Sequence, residues 1–84
     1  MKFYYVTFRS VTFAQRGERL LTEKGIRCTL LRTPRWMEER GCGYCLRLWI
    51  RDIRHALELL RVHQIPMRKV YLQGQDGQLE EITV

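Results

Sequence analysis

Cys42 and Cys45 lie in a short glycine-framed segment, Gly41-Cys42-Gly43-Tyr44-Cys45. Two thiols at this spacing can close a disulfide or hold a soft metal. They can also carry a sulfane sulfur on one thiol while the other resolves it. The thiolate is the reactive form, and three arginines flank the pair: Arg35, Arg40 and Arg47. A nearby cation stabilises the thiolate and lowers the thiol pKa. The glycines on either side of Cys42 leave room for a substrate to approach. In thioredoxin-type sites the first cysteine caps a helix and benefits from its dipole. Here an apolar run, Leu46 to Ile50, follows the pair. It reads as a strand, so helix-dipole activation is absent.

Other constellations are poorer. Tetrahedral zinc needs four ligands, and beyond the pair only Cys28, His55 and His63 offer the usual nitrogen or sulfur donors. His55 and His63 are eight residues apart, which on a helix is about 12 Å, too far to share one ion. Two thiolates alone would suffice for two-coordinate Cu(I). Cys28 falls in an alternating segment and reads as packing. No Ser/His/Asp arrangement, carboxylate pair or phosphate-binding glycine loop is present. The expectation is a chain without bound metal or cofactor, acting as a carrier or binding protein rather than as an enzyme.

The chain has 84 residues, enough for one domain over 1–84 with a thin core. Its net charge of +6 comes mainly from twelve arginines, set against three lysines. Such a surface suits an acidic partner or nucleic acid, but the arginines form no run of four, so nucleic acid is not the expected partner. Three cysteines, an odd number, do not make a disulfide framework. The longest apolar runs are about five residues, against roughly 20 for a membrane span. The N-terminal Phe3–Phe8 stretch is too short for a signal-peptide core. A cytoplasmic location and no membrane partner are expected.

The elements that position these residues follow from periodicity. Lys2–Phe8 reads as a first strand. Ser10 is placed to cap a helix whose apolar stripe is Phe13, Ala14, Gly17, Leu20, Leu21 and Lys24, with Gly25 as its stop. Gly17 on that stripe costs about 1 kcal/mol relative to alanine, which points to close packing against a sheet. Ile26–Thr33 reads as a second strand ended by Pro34, and Tyr44–Ile50 as a third. Asp52 is the predicted cap of a second helix with stripe Ile53, Ala56, Leu57, Leu60 and Gln64. Met67–Gln73 reads as a fourth strand, Gln75–Gln78 as a turn, and Leu79–Val84 as a short returning edge strand.

The order β-α-β-β-α-β predicts an α+β, ferredoxin-like two-layer sandwich: a four-stranded antiparallel sheet with both helices on one face. The cysteine pair then falls on the connection between the second and third strands, at one end of the sheet. The helix-free face carries Phe3, Tyr5, Arg47 and Trp49. RNA-binding domains of this topology stack bases on such strands, but their glycine-aromatic consensus is missing from the third strand. An exposed aromatic face of this kind also suits a homodimer interface.

Several residues together bring a family into view. They are Phe8 and Ser10 before the first helix, Ala14 and Leu20-Leu21 within it, Thr33-Pro34-Arg35, and Cys42-Gly43 followed by Leu46-Arg47. In these the chain resembles the small bacterial selenium/sulfur carrier protein-like family, over roughly residues 3 to 73. The resemblance implies a carrier whose central cysteine, matching Cys42, bears a persulfide or selenopersulfide. Its partner would be a cysteine desulfurase or a sulfur-acceptor protein. The chain departs from the family pattern at Gly41, where serine is common, and at Cys45, where a small apolar residue is expected. A carrier needs one thiol; a second permits disulfide formation that would discharge the cargo. On this reading Cys42 is the carrying thiolate and Cys45 an auxiliary or resolving thiol, with Arg35, Gly43 and Arg47 in support. The alternative is a dimeric binding or regulatory domain that uses the open sheet face, its cysteines redox-sensing or incidental.

Overall fold

The computed structural model describes residues 2–33, 43–74 and 76–82. In chain order the elements are β1 (Phe3–Thr7), α1 (Val11–Glu23), β2 (Cys28–Arg32), β3 (Tyr44–Trp49), α2 (Ile53–Val62), β4 (Val70–Gln73) and β5 (Leu79–Ile82). The strands form one antiparallel sheet in the order β2-β3-β1-β4-β5. The first four strands follow the ferredoxin-like order. The sheet has five strands rather than the four of the predicted sandwich, the fifth being the edge strand expected over Leu79–Val84, here Leu79–Ile82. Gly74 donates its N–H to the Gln78 carbonyl at 2.7 Å, and Gly77 donates back to Gly74 at 3.1 Å. That turn folds Leu79–Ile82 onto β4 in register Val70↔Ile82 through Gln73↔Leu79.

Alternation along the strands sorts side chains onto two faces. Val6, Leu46, Leu48 and Val70, with Phe8 just beyond β1, join Ala14, Leu21, Ala56, Leu57 and Leu60 of the helices in a single core. Both helices therefore cover one face. Gly17 is where they close on the sheet. A Cβ built there would lie 3.2 Å from Leu60 Cδ2, 3.3 Å from Leu46 Cδ1 and 3.4 Å from Phe8 Cζ. The glycine is the clearance that lets α1 sit against α2, β3 and the end of β1 at once.

The helix ends obey local chemistry. The Ser10 hydroxyl accepts the Phe13 N–H at 3.2 Å, as expected of an N-cap. At the other end of α1, Gly25 (φ +80°) donates to Thr22 and Ile26 donates to Leu21, a Schellman closure. The second helix ends in the same way: Gln64 donates to Arg61 and Ile65 to Leu60. Here the left-handed position falls on Gln64, at φ +58°. Gln64 is thus not a member of the apolar stripe, as its spacing suggested, but the turn residue beyond the helix. A non-glycine residue in that region is strained. Gln64→Gly is expected to stabilise the protein by up to about 1 kcal/mol, read as a higher urea midpoint with an unchanged slope.

Two further expectations are corrected. Asp52 makes no side-chain capping bond, because a 3-10 turn over Ile50–Asp52 leads directly into α2 and leaves Asp52 in helical backbone geometry. The fourth strand is shorter at its start than Met67–Gln73. Arg68 donates to the Thr7 carbonyl at 2.8 Å while Lys69 accepts from the Thr7 N–H at 2.9 Å, so two residues oppose one. This is a β-bulge. The Lys69 N–H it displaces is taken up by the Thr7 hydroxyl at 3.1 Å, which explains how a threonine only 1% exposed is satisfied.

Candidate functional site

The connection that carries the cysteine pair leaves and re-enters the sheet at one point. Arg32 pairs with Tyr44 across β2 and β3, and the Thr33 N–H donates to the Gly43 carbonyl at 2.8 Å. The Arg32 guanidinium lies over the Tyr44 ring, 5.4 Å from its centroid. Gly43 adopts φ +79°, and a Cβ there would meet nothing closer than Arg32 Nη1 at 4.0 Å. Space is available, so what Gly43 supplies is backbone conformation: it turns the chain into β3 at a dihedral other residues adopt only with strain. Cys42, Arg35, Arg40 and Gly41 lie outside the described residues.

Cys45 follows on β3, on the helix-free side of the sheet. In register it stands between Leu31 of β2 and Thr7 of β1, and it is only 1% exposed. The next residue on that face, Arg47, stands between Thr29 and Tyr5. Its guanidinium rests on the Phe3 ring, with Cζ 4.6 Å from the centroid, and Phe3 in turn packs on Trp49 at 5.0 Å. Because Phe3 pairs with Trp49, the guanidinium leans toward the C-terminal end of β3, away from Gly43.

Cys28 lies on the core-facing side of β2 and is half-buried, with Sγ 3.8 Å from the Glu18 carbonyl oxygen. Burial pushes its thiol pKa up; a hydrogen bond from Thr22 lowers it and the Glu18 carboxylate raises it further. This is the environment of an inert structural thiol. His55 and His63 are both exposed. Among the described residues no group of three or more His, Cys, Asp or Glu could hold a metal ion. No helix among them is long and apolar enough to cross a membrane.

One feature of this end escaped the sequence reading. Thr33 Oγ1 is buried and has no hydrogen-bond partner among the described residues. An unsatisfied buried hydroxyl costs roughly 1–3 kcal/mol, and it stands at the mouth of the cysteine-bearing connection. A threonine before a proline reads only as a strand end, so nothing in the local sequence signals it.

Residues 3–72 match the family model described as "Putative Se/S carrier protein-like". The chain belongs to this family. No curated protein and no solved structure matches it. The span shared with the Se/S carrier-like family begins at the first residue of β1 and ends inside β4. It contains all three cysteines and both helices. β5 lies beyond it, so the fifth strand extends the sheet outside the segment by which Se/S carrier-like membership is recognised.

Proposed function

We propose that the protein is a sulfur or selenium carrier in which the Cys42 thiolate bears the cargo as a persulfide or selenopersulfide. The observation that carries this reading is the family match, whose span includes Cys42. The state of the other two thiols supports it. Cys28 is half-buried with its pKa raised, and Cys45 is 1% exposed. Cys45 is too buried to meet a donor protein, and the raised pKa of Cys28 keeps it in the unreactive thiol form, whereas a carrier thiol has to reach two partners in turn.

Loading is a sulfur transfer without net oxidation. The Cys42 thiolate attacks the outer sulfur of a donor's cysteine persulfide. A new S–S bond forms as the donor's S–S bond breaks, and the donor leaves as its thiolate. Discharge through Cys45 would run differently. The Cys45 thiolate attacks the inner sulfur, hydrosulfide departs, and the two cysteines are oxidised to a disulfide while the sulfane sulfur is reduced. With Cys45 buried, this route requires its thiol to be uncovered first, which favours delivery to an external acceptor. Incubation of the reduced protein with a cysteine desulfurase and cysteine is expected to add the mass of one sulfur, mapped by digestion to the peptide holding Cys42. An unchanged mass would refute the carrier reading.

A further inference from the structure

At the opposite end of β3 from Gly43 there is a cavity of about 510 Å³. Gly43 adjoins Tyr44, and Trp49 is five residues further on, roughly 17 Å at about 3.3 Å per strand residue. The cavity is therefore separate from the cysteine-bearing end. It is a partly open cleft: Phe3 and Trp49 supply its aromatic lining, Arg27, Arg47 and Thr29 its polar lining, and Cys28 borders it beside the Gly25–Ile26 turn after α1. Its volume lies within the range of about 300–1,000 Å³ usual for small-ligand sites.

The arrangement of charge is specific. Arg27 and Arg47 both line the cavity, and no acidic residue does. Among the described residues neither arginine makes an ion pair. Arg47 Cζ lies over the Phe3 ring, 4.6 Å from its centroid. A guanidinium seated over a ring still has N–H groups to donate to an anion. The neighbouring Trp49 ring is tilted by 46° to Phe3, so its π-face is not matched by a parallel partner from Phe3. A purely apolar ligand would leave two guanidinium groups unpaired. A simple inorganic anion would leave the aromatic wall unused. A ligand with a planar ring and a phosphate satisfies both halves. The net charge of +6 attracts such an anion from a distance.

We propose that this cavity binds a nucleoside phosphate, with the base stacked on Trp49 and the phosphate held by Arg27 and Arg47 with the Thr29 hydroxyl. The nucleotide is either free or the exposed residue of a single-stranded RNA; the recognition chemistry is the same. Cys28 borders the cavity, but the proposed contacts use Trp49, Arg27, Arg47 and Thr29, so nucleotide binding and sulfur loading at Cys42 are tested separately.

The test uses the full chain carrying Trp36→Phe, so that Trp49 is the one tryptophan reporting, and calorimetry on the unmodified protein in parallel. Adenosine 5′-monophosphate and uridine 5′-monophosphate are expected to change Trp49 emission saturably. Adenosine alone and inorganic phosphate alone should each bind at least about tenfold more weakly, because each loses one half of the contact. Arg27→Gln is expected to weaken nucleotide binding about tenfold or more with the melting temperature and sulfur loading unchanged. A short oligoadenylate binding more tightly than the mononucleotide identifies RNA as the source; equal affinity identifies the free nucleotide. Absence of saturable binding at millimolar nucleotide in both fluorescence and calorimetry overturns the proposal. So does nucleotide affinity indifferent to Arg27→Gln, or inorganic phosphate binding as well as the nucleotide does.

Discussion

Cys42→Ser is expected to abolish sulfur loading, while Cys28→Ser and Cys45→Ser accept sulfur as the unmodified protein does. The reason is that a carrier needs an accessible thiolate. Burial disfavours the charged form of Cys28, and Cys45 is only 1% exposed. Alkylation against pH checks this without a donor enzyme. Cys42 is expected to react first and at neutral pH. Cys28 should react slowly and only in alkaline solution. Cys45 should react on the timescale of unfolding, so that its modification accelerates with added urea. Rapid modification of Cys45 in the native protein, or loading that survives Cys42→Ser, would refute the assignment. The raised pKa of Cys28 also has a stability consequence. A folded-state pKa above the unfolded one means the native protein holds that proton more tightly. The contribution is full below the unfolded thiol's pKa and is lost as pH rises through the folded value. Cys28→Ser should therefore flatten the alkaline limb of the stability profile. A loaded Cys45→Ser variant should hold its sulfur at least as long as the unmodified protein, because the thiol able to expel it as hydrosulfide is gone.

Gly17→Val is expected to destabilise the fold by about 2 kcal/mol or more. Even a Cβ at this position lies 3.2–3.4 Å from Leu60, Leu46 and Phe8, and the valine methyls would extend beyond it into side chains that are fully buried. Overpacking of this kind costs about 1–3 kcal/mol, and a β-branched residue adds strain in a helix. In a domain this small each kcal/mol moves the melting temperature by about 4–8 °C. Thermal melts followed by circular dichroism should fall by roughly 10 °C or more. Gly17→Ala isolates the packing contribution. The helix gains about 1 kcal/mol of propensity, and three side chains must yield by a few tenths of an ångström. The two effects nearly cancel, leaving stability within about 1 kcal/mol of the original. If Gly17→Val melted like the unmodified protein, α1 would not sit as close to α2 and β3 as described.

The local rules were legible in the sequence because they act over a few residues. Ser10 marks its helix start through a side chain reaching three residues on. Gly25 marks its stop through a dihedral few residues adopt. The stripe Ile53, Ala56, Leu57, Leu60 repeats at helical spacing, and all four are buried. Where local signals misled, a neighbour had displaced them. Asp52 has capping chemistry, but the preceding 3-10 turn already supplies the helix entry. Gln64 has stripe spacing, but the Schellman closure places it past the helix end. The bulge at Thr7 is encoded jointly by residues 62 positions apart, which no local window contains.

The same division applies to the sites. Residue type and spacing singled out Cys42 and Cys45, and the motifs around them led to the Se/S carrier-like family. By itself the sequence determined the order of elements, the face each strand presents and the glycine-framed thiols. It left open which residues from distant strands become neighbours, because periodicity orients a side chain without naming its partner. Only the tertiary structure decided the register in which Leu79–Ile82 joins β4 and which three side chains close on Gly17. It alone buried Cys45 between Leu31 and Thr7. It also seated Arg47 on Phe3 beside Trp49, at the far end of the sheet from Gly43. Each of these depends on register across hydrogen-bonded strands, and register is set when the whole sheet buries one face against its helices.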